Sequence, residues 1–203
     1  MKTPSGNKPF PSDSVSRNED NALVRRALKG DRKAFEMIIL KYQQPLLNYL
    51  GRMTGERELA LDFTQEVFLK VYGSLSSFQP RFKFSAWLFK VASNFMIDYW
   101  RKKKISAVSL DRTRDDGENS TSLQIPDAEP PVARRYELAQ AKKRIEGALG
   151  QVPAELRELF VLRHVNEFSY EEIAEIKGLP VGTVKNRVFQ AKEMLRGLLE
   201  ESS

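Results

Sequence analysis

Apolar residues recur three and four apart on both sides of one long polar segment, and that period specifies helices. From Asp31 the chain carries Phe35, Ile38, Ile39, Tyr42, Leu46, Tyr49, Leu50 and Met53 on one helical face. Asp31 suits the N-cap of this helix and Gly55 its stop. Pro45 falls inside the pattern and predicts a kink or a break. A second helix runs from about Arg57 to Ser74, with Leu59, Phe63, Val67, Val71 and Leu75 four apart. A third starts near Ser85 and turns Leu88, Val91, Ala92, Phe95 and Tyr99 inward. It ends in Arg101-Lys102-Lys103-Lys104, where cations complement the helix dipole. No stretch reads convincingly as a strand.

Residues 106–131 interrupt the period. They are rich in Ser, Asp, Thr and Pro, and they are longer than a loop inside a compact domain. The segment reads as a flexible tether; the alternative is an acidic strip lying in a groove of a partner. The expected fold is all-α: two small helical domains, an N-terminal bundle and a C-terminal helix-turn-helix, joined by this acidic linker. The divisions are a disordered tail over 1–19, a bundle over 20–105, the linker over 106–131 and the second domain over 132–203.

Charge follows the same divisions. Residues 20–105 hold 16 basic and 8 acidic side chains, 106–131 hold 2 and 6, and 132–203 hold 12 and 11. The first block therefore favours a polyanionic partner. The near-neutral last block is expected to bind DNA weakly alone, because backbone affinity scales with the phosphates neutralised.

Several chemistries are excluded. There is no cysteine, hence no disulfide scaffold, thiolate zinc site or cysteine nucleophile. His164 is the one histidine, at a helix end beside Arg163, and reads as structural. Neither a glycine-rich phosphate loop nor metal-ligand spacing is present, so no cofactor or metal is expected. No apolar run reaches the ~18 residues of a membrane span, and the polar N-terminus is not a secretory signal. A cytoplasmic location follows as the expectation.

The C-terminal block carries a helix-turn-helix signature. After Pro153 a helix covers 154–164. Ser169-Tyr170-Glu171-Glu172 then forms a capping box, opening a short helix that stops at Gly178. The last helix has Val184, Val188, Ala191, Leu195 and Leu198 as its buried stripe. Lys185, Phe189, Lys192 and Arg196 share a different face, with Asn186 and Gln190 beside them. A Phe among donors could pack on a neighbouring helix. In a major groove it would meet a thymine methyl while Lys185, Asn186 and Gln190 read base edges. The first turn, up to Thr183, offers backbone N–H groups to a phosphate.

The basic block has its own signal. Ser77-Phe78-Gln79-Pro80-Arg81-Phe82-Lys83-Phe84-Ser85-Ala86-Trp87 alternates rings with cations, and Lys90, Asn94, Trp100 and the 101–104 run follow. Rings that stack on unpaired bases and cations that track phosphates are what single-stranded DNA requires. Asn94 is a candidate for the edge of a flipped base. For Phe84 and Trp87 a place in the core is the better reading. Asp62, Gln65, Glu66 and Lys70 form the polar side of the second helix, and composition alone gives them only a solvated face.

Taken together, these stretches resemble an extracytoplasmic-function sigma factor of RNA polymerase, of the envelope-stress sigma-E group. GDRKAFEMIILKY resembles the family's first helix, and DFTQEVFLKVY the segment that docks on the clamp helices of the largest polymerase subunit. FSAWLFKVASNFMIDYWRKKK resembles the helix that melts and reads the minus-ten element. LRHVNEFSYEEIAEIKGLPVGTVKNRVFQAKEML resembles the domain that reads the minus-thirty-five element.

The resemblance implies a promoter-specificity subunit, not an enzyme, that binds core RNA polymerase at the clamp helices and the flap region. It would engage promoter DNA both as duplex and as melted non-template strand. Asp62, Gln65, Glu66 and Leu69 would meet the polymerase. Phe78, Gln79, Arg81, Lys83 and Asn94 would form the minus-ten pocket, with Lys90, Arg101, Lys102 and Lys103 on the backbone. Thr183, Lys185, Asn186, Arg187, Phe189 and Gln190 would face the minus-thirty-five groove. The linker would thread toward the active-site cleft and the RNA exit path. An anti-sigma factor is implied as a further partner; a small-molecule substrate and a place in the membrane are not. Asn186 and Gln190 stand where Ser and Arg are common in the family, so the promoter sequence does not carry over.

Two other readings compete. A stand-alone helix-turn-helix regulator would bind duplex without polymerase, but leaves the aromatic-basic loop unexplained. A nuclease would need carboxylates clustered on one face for metal ions, which the sequence does not offer.

Overall fold

The computed structural model describes residues 14–109 and 132–201, and the elements among the described residues are all helical. The first half contains α1 (Ser14–Leu28), α2 (Arg32–Thr54), α3 (Arg57–Ser74) and α4 (Phe84–Ser109), with a single 3-10 turn at Leu75–Ser77. The second half contains α5 (Val132–Gln151), α6 (Ala154–His164), α7 (Tyr170–Lys177) and α8 (Val181–Glu201).

Local chemistry sets the helix ends. The Asp31 carboxylate accepts the Ala34 N–H at 3.2 Å, and a hydrogen bond from Arg26 holds its pKa below the usual carboxylate value. Gly55 stops α2 with a φ of 76°, a left-handed conformation that glycine adopts without strain. The capping box of α7 is complete: Ser169 Oγ accepts from the Glu172 N–H at 3.1 Å, and Glu172 Oε2 accepts from the Ser169 N–H at 2.8 Å.

Three expectations need correction. The first helix begins at Ser14, inside the stretch read as tail. Asp20 anchors it from a buried position, its carboxylate accepting from the Tyr42 hydroxyl and from Lys41 Nζ, each at 2.6 Å. A buried carboxylate with two donors is a tie that composition does not reveal. Secondly, α2 runs through Pro45 without a break. The ring costs one helical hydrogen bond, but Pro45 is buried and flanked by buried Tyr42, Leu46, Leu47 and Tyr49, so packing overrides the local penalty. Thirdly, α4 continues past Lys104 to Ser109, into the stretch read as linker. The rest of that linker, 110–131, and the tail over 1–13 lie outside the described residues.

The two helical units pack on each other. α4 lies against α7, and α2 against α5 and α6. Phe89 is fully buried at this junction, with ring centroids 5.4 Å from Tyr49 and 5.0 Å from Phe168. The buried apolar side chains of both units therefore form one continuous core.

Candidate polymerase and nucleic-acid interfaces

Asp62, Gln65, Glu66 and Leu69 are spaced three and four apart on α3 and are all exposed. Helical geometry puts them on one face. Leu69 is 72% exposed, and Leu61 and Tyr72 on the same helix are exposed too. Packed beside α3, α2 adds exposed Met37 and Leu40. The sequence reading missed those two. Their signal was an apolar residue lying off the buried stripe.

The loop after α3 carries the interleaved rings and cations. Gln79 and Arg81 are exposed, and the Arg81 guanidinium lies 4.7 Å over the Phe82 ring. Phe78, expected to help form the minus-ten pocket, is not an exposed ring. It is only 6% exposed, packed against Phe84 and Trp87 at centroid distances of 5.3 and 5.6 Å. It is a floor for the loop, because a ring flanked by two others gains more from burial than from solvent. Phe84 is buried, as read, and Trp87 is partly buried.

Two residues of α1 hold the loop in place. Arg17 donates to the carbonyls of Pro80, at 3.1 Å, and Arg81, and Asn21 donates to the Pro80 carbonyl at 3.4 Å. Nothing in the sequence marks these positions, since the partners lie about sixty residues apart. Lys90, Asn94 and Arg101 are exposed at spacings that share one side of α4, followed by exposed Lys102 and Lys103. Arg101 pairs with Asp98 at 2.6 Å.

A cavity of about 350 Å³ opens between this loop and α7. Gln79, Phe82, Trp87 and Lys90 form one wall, and Glu175 and Ile176 of α7 form the other. Lys83, expected in the minus-ten pocket, forms an ion pair with Glu172 of α7 at 2.8 Å.

In the helix-turn-helix, Val184, Val188, Ala191 and Leu195 of α8 are buried as expected, and Leu198 is half-buried. Phe189 is 61% exposed, with Lys185, Asn186 and Gln190 exposed around it. Thr183 and Arg187 are half-buried. Arg187 lies 3.7 Å from Glu155, and Lys185 Nζ is 5.7 Å from the Tyr170 ring centroid. His164 stacks on Phe160 at 4.6 Å, at the edge of an apolar groove that Leu195 also lines. Partial burial, then Arg163 and Lys192, lower its pKa.

A helical unit with a basic aromatic loop, followed by a helix-turn-helix unit with an exposed reading face, is the build of a sigma-type transcription factor. The family models agree: sigma-70 region 2 matches residues 38–105, and sigma-70 region 4 matches residues 142–195. The ECF RNA polymerase sigma-E factor of Haemophilus influenzae is 31% identical over 182 residues, 89% of this chain and 95% of that protein. The ECF RNA polymerase sigma factor SigW of Bacillus subtilis is 32% identical over 179 residues, 88% of this chain and 95% of that one.

Among solved structures, CnrH in complex with the cytosolic domain of CnrY is similar at a TM-score of 0.64 and 26% identity. It covers 91% of this chain and 99% of that one. The sigma factor RpoE of Bartonella quintana, in complex with the anti-sigma factor NepR, gives 0.65 and 26%, covering 83% and 98%. The chain belongs to the extracytoplasmic-function sigma factors of RNA polymerase, and its function is that of a sigma subunit. No helix among the described residues is long and apolar enough to cross a membrane.

Proposed function

We propose that this sigma factor is a non-catalytic subunit of the bacterial cytoplasm that joins core RNA polymerase through the exposed α3 face, 62–69. It reads the two promoter elements with two separate surfaces. The loop residues Gln79, Arg81 and Lys83, with Lys90 and Asn94 on α4, take the melted minus-ten strand, while Arg101, Lys102 and Lys103 hold backbone. Lys185, Asn186, Phe189 and Gln190 on α8 read the minus-thirty-five duplex, and Thr183 and Arg187 support that helix from half-buried positions.

The observation that carries this reading is Phe189. A ring 61% exposed among donors, on a helix whose apolar stripe is already buried, needs an external partner. A thymine methyl in the major groove supplies one. Phe189→Ala is therefore expected to weaken promoter duplex binding by the polymerase complex by about 1 kcal/mol, roughly fivefold. Quantitative footprinting of the minus-thirty-five region tests this, and a footprint as strong as wild type contradicts it.

Asn94 is assigned to the opened strand, not to the polymerase. Asn94→Ala should leave affinity for core polymerase unchanged and slow promoter opening. Permanganate reactivity of melted thymines, followed over time, is the readout. A wild-type rate of opening would remove Asn94 from the site.

Since RpoE and CnrH were each solved with a protein partner, a similar partner belongs to this reading. An anti-sigma factor would cover the exposed apolar residues of α2 and α3, with polymerase as its competitor. The flap region of polymerase is assigned to the helix-turn-helix unit.

A further inference from the structure

α1 meets the aromatic-basic loop at its main chain. Residues 79–82 form a tight turn, with the Phe82 N–H donating to the Gln79 carbonyl at 3.0 Å. Pro80 stands at the second position, where its fixed φ presets the turn. Such a turn bonds its two ends and leaves its central carbonyls, here those of Pro80 and Arg81, without a partner inside it. α1 takes both. The Arg17 guanidinium donates to the carbonyls of Pro80, at 3.1 Å, and Arg81. One helical turn on, and so on the same face, Asn21 Nδ2 donates to the Pro80 carbonyl at 3.4 Å. These contacts fall on backbone atoms, and the side chains of Gln79 and Arg81 remain exposed.

α1 is itself fixed between the two clamping residues. The buried Asp20 carboxylate accepts from the Tyr42 hydroxyl and from Lys41 Nζ, each at 2.6 Å. Burial, then the charge of Asp20, holds the Tyr42 hydroxyl protonated, so it remains a donor. The Tyr42 ring lies 5.5 Å from that of Phe84, which packs in turn on Phe78, the floor of the loop. Tyr42 thus holds α1 with its hydroxyl and the floor with its ring. The loop is gripped from two sides, by rings beneath it and by donors at its tip.

We propose that Arg17 and Asn21 are positioning residues for promoter opening. They hold the loop backbone in the shape in which Gln79 and Arg81 meet the melted strand. A loop ordered beforehand loses less freedom on binding than one that the strand must order. Arg17 therefore acts on the strand through the loop and not by a contact of its own. Both residues lie outside the stretch that matches sigma-70 region 2, residues 38–105. This inference rests on the minus-ten assignment proposed above.

The test uses the full chain assembled with core polymerase. The template is the strongest promoter recovered when the parent assembly transcribes fragmented genomic DNA of its host. Permanganate reactivity of melted thymines is followed over time at a series of assembly concentrations. Arg17→Ala should lower the limiting rate of opening about tenfold, the scale of losing the bonds of one charged donor. The concentration giving half the limiting rate should equal that of the parent, because the α8 face is untouched. Affinity for core polymerase should be equal too. The double loop variant Gln79→Ala and Arg81→Ala is the reference and should open slowly. Adding Arg17→Ala to it should slow opening no further, because a residue that acts through the loop then has nothing left to position.

Arg17→Ala opening at the parent rate, beside a slow loop variant, overturns the positioning role alone. A defect that multiplies with that of the loop variant makes Arg17 a DNA contact in its own right, and overturns it too. So does an unchanged limiting rate with a raised half-maximal concentration, which places Arg17 in the first binding step. A loop variant that opens at the parent rate means that the minus-ten assignment has failed, and the inference falls with it.

Discussion

Leu69→Asp is expected to weaken binding to core RNA polymerase by about 2 kcal/mol or more, roughly 30-fold. The fold should lose little, within about 0.5 kcal/mol, because an exposed side chain leaves no cavity behind. Leu69 is 72% exposed and lies one helical turn beyond the polar Gln65 and Glu66, with Asp62 further back on the same face of α3. An exposed apolar side chain bordered by polar ones has the pattern of an interface anchor with a polar rim. A carboxylate there would be desolvated on docking without a partner designed for it. Titration of the full-length variant into sigma-free core polymerase, beside a urea melt, separates the two effects. Unchanged affinity would move the polymerase contact off this face.

The second large effect concerns the junction of the units. Phe89→Ala should destabilise the chain by about 3–5 kcal/mol, the range for removing a buried ring where neighbours cannot collapse. Phe89 is fully buried between Tyr49 and Phe168, so the cavity would open on both units at once. Against a typical total of about 5–15 kcal/mol, the loss is severe. A urea titration should show a much lower midpoint. A shift worth less than about 1 kcal/mol would mean that the units do not share this core in solution.

The helices and their inward faces were legible because helical periodicity is a local property. Tyr42, Leu46, Val67 and Val188 all fell where three-and-four spacing put them. The capping box and Gly178 were legible for the same reason, since their partners lie within a few residues. The reading face of α8 followed by subtraction: once its buried stripe was assigned, Phe189 had no place inside.

What was not legible lies between distant residues. Tyr49 and Glu158 are 109 positions apart, and neither carries a local sign of its partner. Arg17 pins the loop from a stretch that composition described as tail. The break offered as one outcome at Pro45 does not occur, because tertiary packing outweighs the local breaking rule there. The burial of Phe78 was not legible because, in a loop of alternating rings and cations, the sequence does not say which ring is floor and which is face. The pairing of Lys83 with Glu172 was beyond reach as well. Lys83 was read for DNA and Glu172 for a helix cap, and the contact exists only because the two units pack together.

The most direct test of the sigma assignment needs no known promoter. Purified chain is added to sigma-free core polymerase on fragmented genomic DNA of its own host, and the 5′ ends of the transcripts are sequenced. The assignment predicts a discrete set of start sites that core alone does not produce, with a shared pair of upstream elements. A transcript population indistinguishable from that of core alone would contradict it.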